Sequence, residues 1–511
     1  MSITSFLHEA IEKYPHHNAL IYEDKITTYE GLKNNISRFA SAISALNTDL
    51  SRPMSILAPN SNKYIETMLT VFWLGGVINP MNIRWAIHEM VYVLNECESE
   101  ILFVDKNFTD IVNDLKHSCP LLKHVIYLGD DDLPGLNIYH AMVRNHQGIV
   151  DSYTEDDRLA AVFYTSGTTG KPKGVMLTHS HIKNNAWIAS TYLQNNMGIA
   201  IQVPPLFHIG GVNWLIQVLQ RHMPLVILKG FDVIEVYKTI QKYQITESFF
   251  VPTMLQMLIN SPESKNYNLT TLKRLIYGGS AINRKLITKA SEIFPNAGFV
   301  QFYGMTEASP CVTVLDMEAH NHDHNLKSGG FPLHQCTVKI VDSEGRELQC
   351  NQVGEIIVSG SNIMLGYWKK PKETKNTLKN GWLYTGDGGY LREDGFLVLV
   401  DRIKDMIITG GENVYSTEVE NVIMAIEGVG MCAVIGIPHD VWGESVHAVI
   451  IPKEGYTFSN QYLDAHCRKY LSGFKCPKSY EFTSDLPLSG AGKILKNVLR
   501  SRNIKKCGDT I

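Results

Sequence analysis

The segment LAAVFYTSGTTGKPKG (residues 159–174) begins as a short apolar run and ends as a loop of hydroxyls, glycines and lysines. An apolar run of that length bounded by turn residues reads as a buried strand. A glycine-rich loop leaving a strand end sits where ligands bind in open α/β sheets. The hydroxyls of Thr165, Ser166, Thr168 and Thr169, with the N–H groups around Gly167, Gly170 and Gly174, can wrap phosphate oxygens, and Lys171 and Lys173 add positive charge. This is not a Walker A loop. That pattern places four residues between a glycine and Gly-Lys and then a Ser or Thr, whereas here two residues separate Gly167 from Gly170 and Pro172 follows Lys171. Taken alone, the segment also fits a flexible connector.

On either side of it strand and helix alternate. Apolar residues at 32, 36, 39, 40, 43 and 46 keep a helical period, MSILA (54–58) reads as a buried strand, and a helix from about Asn62 to Leu74 is stopped by Gly75-Gly76. Further strands are expected at EILFVD (100–105), HVIYL (124–128), PLVILK (224–229), ESFFVP (247–252) and LKRLIYGG (272–279). Such repeated βα units argue for an α/β fold with sheets covered by helices on both faces. After about residue 330 short strands and turns take over: a hairpin is expected about Ser343–Gly345, and Asn380-Gly381 is a turn signal. EGVGMCAVIGIP and VHAVIIPKEG (446–455) supply strands of a last compact unit. The expected division is therefore 1–400, a large part with two αβ-layered subdomains and a small β-barrel-like subdomain, and 401–511, a small α+β domain.

A chain of 511 residues exceeds what one core serves, so at least two domains are expected. A net charge of −4 gives no reason to invoke nucleic acid. The nine cysteines form no CxxC pair, which points away from a zinc site or a disulfide framework and towards reduced thiols in a cytoplasm. The first residues lack a basic segment followed by a long apolar run, so no signal peptide is expected, and the apolar stretch around Met68–Ile78 is too short to span a bilayer.

The segment at 164–174 has company. PPLFHIGG (204–211), YGGSAI (277–282), QFYGMTE (301–307), VGEIIVSGSNIMLGYW (353–368), YTGD (384–387), DRIKDMIITGGENVYSTEVE (401–420) and LPLSGAGKILK (486–496) follow in order. Together they resemble the adenylate-forming superfamily of acyl-CoA synthetases, luciferases and peptide-synthetase adenylation domains, over nearly the whole chain. The resemblance, closest in look to bacterial fatty-acyl-CoA ligases, implies an ATP-dependent acyl-CoA ligase that joins a carboxylic acid to AMP and passes the acyl group to coenzyme A.

It also implies roles. Two anions must approach each other when a carboxylate attacks the α-phosphate, which calls for cations and positioned donors. Glu307 would hold Mg²⁺, which takes hard oxygen ligands, and Thr306 the α-phosphate. Asp387 would accept from both ribose hydroxyls with Arg402 in support. Gly278, Gly279 and Ser280 would let adenine lie against backbone, with Tyr303 offering an aromatic face and Gly304 following it in the same motif. Thr165 to Gly170 and Lys173 would hold phosphates. Lys493 would bridge carboxylate and α-phosphate oxygens as a mobile point charge. The family turns its small domain between the two half-reactions; Lys404 occupies the hinge position, with Asp401 and Arg402 leading into it. Gly410, Gly411, Glu412 and Asn413 would then line the CoA path. Ser416 departs from the pattern, which commonly has proline after NVY.

The acid is less constrained. PLFHIGGVNWL lacks the acidic residue that amino-acid-activating relatives use for the substrate ammonium, and a buried ammonium without a partner is costly. His208 would sit at the acyl-site mouth. Val212, Trp214, Phe249, Phe250 and Met254 are apolar candidates for an acyl pocket. Each buried CH₂ is worth ~0.8 kcal/mol, so four carbons give ~3 kcal/mol, over a hundredfold in affinity. A medium- or long-chain fatty acid is the expected small-molecule partner; aryl acids, or transfer to a separate acyl carrier protein, are the alternatives. His320-Asn-His-Asp-His324 reads as a solvated loop rather than a metal cluster. The basic run from Lys493 to Lys506, with Ile494, Leu495, Val498 and Leu499 at helical spacing, reads as a docked surface helix, peripheral membrane contact being the other use for it. A monomer or homodimer is expected.

Overall fold

The computed structural model describes residues 2–508 apart from 132, 134, 166–171, 194–197, 280–283 and 490–493. Apolar runs that return through a helix become parallel strands, because the crossover brings the chain back to the same edge. One sheet has eight strands, in the order Gly366–Tyr367, Lys173–Thr178, Leu159–Thr165, Ile78–Pro80, Met54–Leu57, Ile101–Val104, His124–Tyr127, Asn137–Ile138. It is parallel from Leu159–Thr165 onward and antiparallel at its other end. The segment 159–174 thus differs from a strand-to-helix turn: its flanks pair with each other, Tyr164 with Gly174 and Thr165 with Lys173.

The second sheet has nine strands: Phe331–Pro332, Cys311–Leu315, Gly298–Gly304, Arg274–Gly278, Glu247–Phe250, Ala200–Gln202, Leu225–Ile227, Asn18–Tyr22 and Lys25–Thr28. Its middle is parallel and both edges are antiparallel. One continuous apolar core joins the two sheets, with Ile56 and Phe103 from the first and Leu225 and Val300 from the second. Helices Tyr29–Ser44, Asn62–Trp73, His179–Thr191 and Ile209–Gln220 contribute to the same core. Local chemistry sets their ends. Ser61 Oγ accepts from Tyr64 N at 3.0 Å at the start of Asn62–Trp73, and Gly75, at φ +68°, takes the left-handed conformation that stops it.

A curled antiparallel sheet follows, built from Cys336–Val341, Gly354–Gly360, Trp382–Leu391, Leu378–Lys379 and Leu397–Arg402. Asn380 and Gly381 both take positive φ, 52° and 79°, and close a two-residue hairpin. The turn at 343–345 is tight but its return is short, a bridge between Val341 and Glu347; the main partner of Cys336–Val341 is Gly354–Gly360. The last sheet comprises Glu412–Val414, Ile407–Thr409, Gly443–Pro452, Val429–His439 and Ser479–Phe482, with helices Ser416–Met424, Asn460–Tyr470 and Lys496–Gly508. Strand Leu397–Arg402 runs through the expected division at 400/401, pairing Asp387 with Arg402. Leu499 is buried against strand Val429–His439, as expected of a docked helix. Among the described residues no helix is long and apolar enough to cross a membrane. His320 is tied to Tyr277 OH at 2.9 Å and to the Asp316 carbonyl at 2.6 Å, which occupies both of its ring nitrogens.

His179, the first residue of its helix, is fully buried beside Phe72. Its Nδ1 accepts from Ile3 N at 3.5 Å, and its Nε2 has no partner among the described residues. Burial pushes its pKa down to about 4. The unfolded chain takes up this proton near pH 6.5, so unfolding gains a proton between those values. Stability is therefore expected to fall as pH drops from about 6.5 towards 4, by up to roughly 3 kcal/mol, and this contribution to level off below that. Urea unfolding of the wild type and His179→Leu across that range checks it: the difference between the two should carry the slope.

Candidate functional site

Strands Ala200–Gln202, Glu247–Phe250, Arg274–Gly278 and Gly298–Gly304 are parallel neighbours, so the segments after them emerge along one carboxyl edge. These include Pro204–Gly211, Gly279 and Met305–Glu307, with Val251 and Pro252 following the strand Glu247–Phe250. Two glycines make the edge compact. A Cβ on Gly278 would meet Phe302 O at 2.4 Å, and one on Gly304 would meet Pro310 O at 1.7 Å, so neither position admits a side chain.

Thr306 and Glu307 lie on a short 3-10 turn, Thr306–Ala308, directly after strand Gly298–Gly304. Thr306 is half-buried and Glu307 is buried. Glu307 Oε1 accepts from Tyr367 OH at 2.9 Å, and its backbone carbonyl accepts from Met364 N at 2.9 Å. Burial, and then the Glu307 charge, hold the Tyr367 hydroxyl well above the usual phenol range, so it remains a donor. Behind the turn lies a set of buried amides. Asn362 Nδ2 donates to Ala308 O at 2.7 Å and to Cys311 O at 3.2 Å, while Ser309 Oγ donates to Asn362 O at 2.7 Å. Asn185 pairs with the backbone of Cys311 in both directions, at 2.7 and 3.1 Å, and Asn213 Nδ2 donates to Asn185 Oδ1 at 3.0 Å. Asn213 and Gln217, one turn apart on an otherwise apolar helix, are the signal by which this set could have been found.

Asp387 is 8% exposed and lies opposite Arg402 in the third sheet. Its Oδ1 pairs with Arg402 Nε at 2.9 Å and its Oδ2 accepts from Tyr303 OH at 2.8 Å. The Asp387 charge raises the Arg402 pKa further. Burial first, and then Asp387, push the Tyr303 hydroxyl well above its usual range. Three groups from two sheets are thereby fixed, with further acceptor sites left on the carboxylate. Thr385 Oγ1 supports the arrangement by accepting from Asp387 N at 3.1 Å while donating to Ile356 O at 2.7 Å.

Lys173 Nζ stands 5.2 Å from the Tyr367 ring centroid, which places the exit of segment 164–174 beside the partner of Glu307. Thr165 Oγ1 donates to Lys173 O at 3.5 Å across the same ladder. Ser166, Gly167, Thr168, Thr169, Gly170, Lys171, Ser280 and Lys493 lie outside the described residues. His208 precedes helix Ile209–Gln220, its ring tilted at 55° against that of Phe207 with centroids 4.6 Å apart, and a Cβ on Gly210 would touch the Phe249 ring at 3.5 Å. The apolar candidates do not act as one set. Val212 and Trp214 belong to the core between the large sheets, with Phe249 packed against it, whereas Phe250 and Met254 belong to the core on the other face. Adjacent residues of a strand point to opposite faces. Gly410 and Gly411 form an exposed turn that leads into Glu412 and Asn413, exposed residues of strand Glu412–Val414, and Gly410 N donates to Trp442 O at 2.9 Å, within its own part of the chain.

The arrangement supplies a buried carboxylate with a free oxygen among the described residues (Glu307 Oε2), a hydroxyl at a strand end, and a carboxylate–guanidinium–phenol group. A single hard cation suits the first; vicinal hydroxyls suit the last.

Residues 7–368 match the family model of AMP-binding enzymes, and residues 418–493 that of the AMP-binding enzyme C-terminal domain. The chain is 34% identical to a feruloyl-CoA synthase of Amycolatopsis sp, covering 96% of each. It is 33% identical to the fatty acid–[acyl-carrier-protein] ligase ScoC of Streptomyces coeruleorubidus, over 95% of this chain and 93% of that one. The solved structure of ATP-bound MatB from Rhodopseudomonas palustris superposes with a TM-score of 0.89 at 28% identity, covering 98% of this chain and 99% of that one.

The amide set behind Thr306–Glu307 generates its own expectation. Asn362→Ala leaves the carbonyls of Ala308 and Cys311 short of a buried donor, and should lower the unfolding free energy by about 1–3 kcal/mol, measured by denaturant titration.

Proposed function

Because this chain belongs to the AMP-binding enzyme family and is an adenylate-forming acid–thiol ligase, we propose that it converts an apolar carboxylic acid to its CoA thioester, with a medium- or long-chain fatty acid preferred. In the first step a carboxylate oxygen attacks the α-phosphorus of ATP and pyrophosphate leaves. In the second the sulfur of coenzyme A attacks the acyl carbon and AMP leaves.

The observation that carries this reading is the Tyr303–Asp387–Arg402 group at the same strand end as Thr306 and Glu307. Asp387 would accept from the ribose hydroxyls with its remaining lone pairs, held in place by Arg402 and Tyr303. Gly278 and Gly279, with Ser280, would leave space for adenine against backbone, and the Tyr303 ring would bound it. Thr306 would donate to the α-phosphate, and the 165–170 segment with Lys173 would take the phosphates beyond it. Glu307 Oε2, which has no partner among the described residues, fits Mg²⁺, which would offset phosphate charge when bound. Lys493 would stabilise charge developing between carboxylate and α-phosphate. His208 would stand at the mouth of the acyl site. We take the chain after Arg402 as a small unit that turns near Lys404, so that Lys493 serves the first step and Gly410–Asn413 the second.

Support for an apolar acid comes from helix Ile209–Gln220, which carries no acidic residue to pair with an ammonium, and from Phe249 against Gly210. The fatty acid–carrier ligase among the relatives favours an aliphatic chain. An aryl acid is the second reading, favoured by the feruloyl-CoA synthase.

Thioester formation with ATP and CoA, across fatty acids of two to eighteen carbons and a set of aryl acids, tests this. The expected outcome is an optimum among medium or long chains. A cinnamate-type acid turned over faster than every fatty acid would replace the first reading with the second. Pyrophosphate release without acyl-CoA would move the acceptor to a carrier protein. Lys493→Ala should lose adenylation by at least about a hundredfold, as expected for one charge–charge contact to a transition state, yet still convert supplied acyl-adenylate to thioester. Equal loss of both steps would remove the domain alternation.

A further inference from the structure

One largely covered carboxylate close to the proposed nucleotide site has no part in the chemistry above. Glu96 lies at the end of helix Ile87–Cys97 with its side chain 11% exposed. Its Oε2 accepts from Tyr164 OH at 2.8 Å, and its Oε1 accepts from Tyr92 OH at 2.5 Å and from Lys370 Nζ at 2.7 Å. Its backbone carbonyl accepts from Trp368 Nε1 at 3.0 Å. One residue thus gathers donors from its own helix, from the strand that enters segment 164–174, and from the chain that follows strand Gly366–Tyr367.

Both of the distant arms lead to groups assigned above to ATP. Tyr164 pairs with Gly174 in the ladder, and a Cβ on Gly174 would come within 2.9 Å of the Tyr164 ring, so the ring lies across the exit of the segment it introduces. Trp368 N donates to Gly174 O at 2.7 Å, which binds the second arm to that same exit. The residue before Trp368 is Tyr367, whose hydroxyl holds Glu307 and whose ring faces Lys173. Movement of the Glu96 carboxylate would therefore be felt at Thr165 and Lys173 through Tyr164, and at Glu307 through Lys370, Trp368 and Tyr367. The donors are of fixed kind. The hydrogen bond to Glu96 raises the Lys370 pKa, so it remains an ammonium, and burial holds the Tyr164 hydroxyl protonated.

We propose that Glu96 is a positioning residue for the nucleotide polyphosphate: its carboxylate clamps Tyr164 and Lys370 so that Thr165, Lys173 and the Tyr367–Glu307 pair present their polar groups together. This rests on the reading of those groups as an ATP site. A carboxylate that merely staples the fold would affect every ligand alike. A clamp on the polyphosphate side predicts selectivity, because AMP lacks the phosphates this side would hold while keeping the contacts of Asp387 and Thr306.

The test uses the full chain and two variants. Glu96→Gln keeps the shape but halves the acceptor capacity and turns an NH₂ towards Lys370 or a tyrosine hydroxyl. Tyr164→Phe removes the bond to Glu96 Oε2, together with the Cys97 Sγ bond to the same hydroxyl, and leaves the Lys370 pair. For Glu96→Gln the dissociation constant of ATP, read by calorimetry, should rise about tenfold or more, the scale of a lost charge-assisted bond. The AMP constant should stay within about threefold, and KM for ATP in ATP–pyrophosphate exchange should rise more than kcat falls. Tyr164→Phe should shift ATP in the same selective direction by a smaller factor, and it decides the matter by itself if Glu96→Gln does not fold. Equal weakening of ATP and AMP, or no change in either, overturns the proposal while leaving the ATP site intact. A wild type that binds neither nucleotide overturns the ATP site, and the clamp with it.

Discussion

A turn that carries functional side chains into a protein interior strands its own backbone groups away from water, and each must find a partner. The Thr306–Cys311 stretch is such a turn, and much of the site depends on how its debt is met. Asn185 presents to Cys311 a donor and an acceptor spaced like those of a peptide group, and so acts as a neighbouring strand where none runs. Asn213 orients Asn185, and Gln217 orients Asn213. Amides linked in series constrain one another's direction, so the set is worth more together than as separate bonds. Helices His179–Thr191 and Ile209–Gln220 are thereby fixed beneath the turn, beyond what their apolar packing alone requires.

Two phenols tie the sheets together: one joins the third sheet to the nine-stranded sheet, and the other joins the eight-stranded sheet to the nine-stranded one. Tyr303 reaches from the nine-stranded sheet to Asp387, and Tyr367, an edge residue of the eight-stranded sheet, reaches to Glu307 on the turn. In both cases a hydroxyl held protonated by burial donates to a carboxylate. The carboxylates are therefore fixed by neutral donors, except where Arg402 adds a cation. Neutral donors position an anion without cancelling its charge, and an anion that keeps its charge can still take a cation or accept from hydroxyls.

Much of this frame was legible in the sequence because local rules governed it. LAAVFYT is the strand Leu159–Thr165, Asn62–Trp73 ends at the glycine that stops it, and Asn380-Gly381 closes its hairpin. Where distant chain segments decide, the sequence was mute. NALIY (18–22) enters the nine-stranded sheet beside Leu225–Ile227, a pairing across some two hundred residues with no local signal. The loop at 166–172 has the composition of a strand-to-helix turn, yet its flanks form a ladder, because the short apolar run in Lys173–Thr178 pairs with Leu159–Thr165 next to it. The apolar set around Phe249 and Phe250 could have been separated beforehand, since neighbours in a strand face opposite ways. The partners of the amides and of Glu96 could not have been read beforehand: Asn213 and Gln217 on a largely apolar helix signal buried partners without naming them.

Ser416 shows how a single departure acquires physical content. Its N–H and its Oγ both donate to Asp401 Oδ2 at 2.6 Å, and its Oγ accepts from Lys496 Nζ at 2.6 Å. Lys496 in turn pairs with Glu420 at 2.7 Å. Proline at this position has no N–H and no hydroxyl, so it could make none of these bonds. Serine therefore ties the end of strand Leu397–Arg402 to the first residue of helix Ser416–Met424, and through Lys496 to helix Lys496–Gly508. These bonds span the Lys404 segment, so the proposed turning there would have to break them, whereas a proline would leave Asp401 with the N–H groups of Arg402 and Thr417 alone. The substitution therefore bears on how firmly strand Leu397–Arg402 is held to the chain that follows it rather than on the groups around Asp387 and Glu307, which it does not touch.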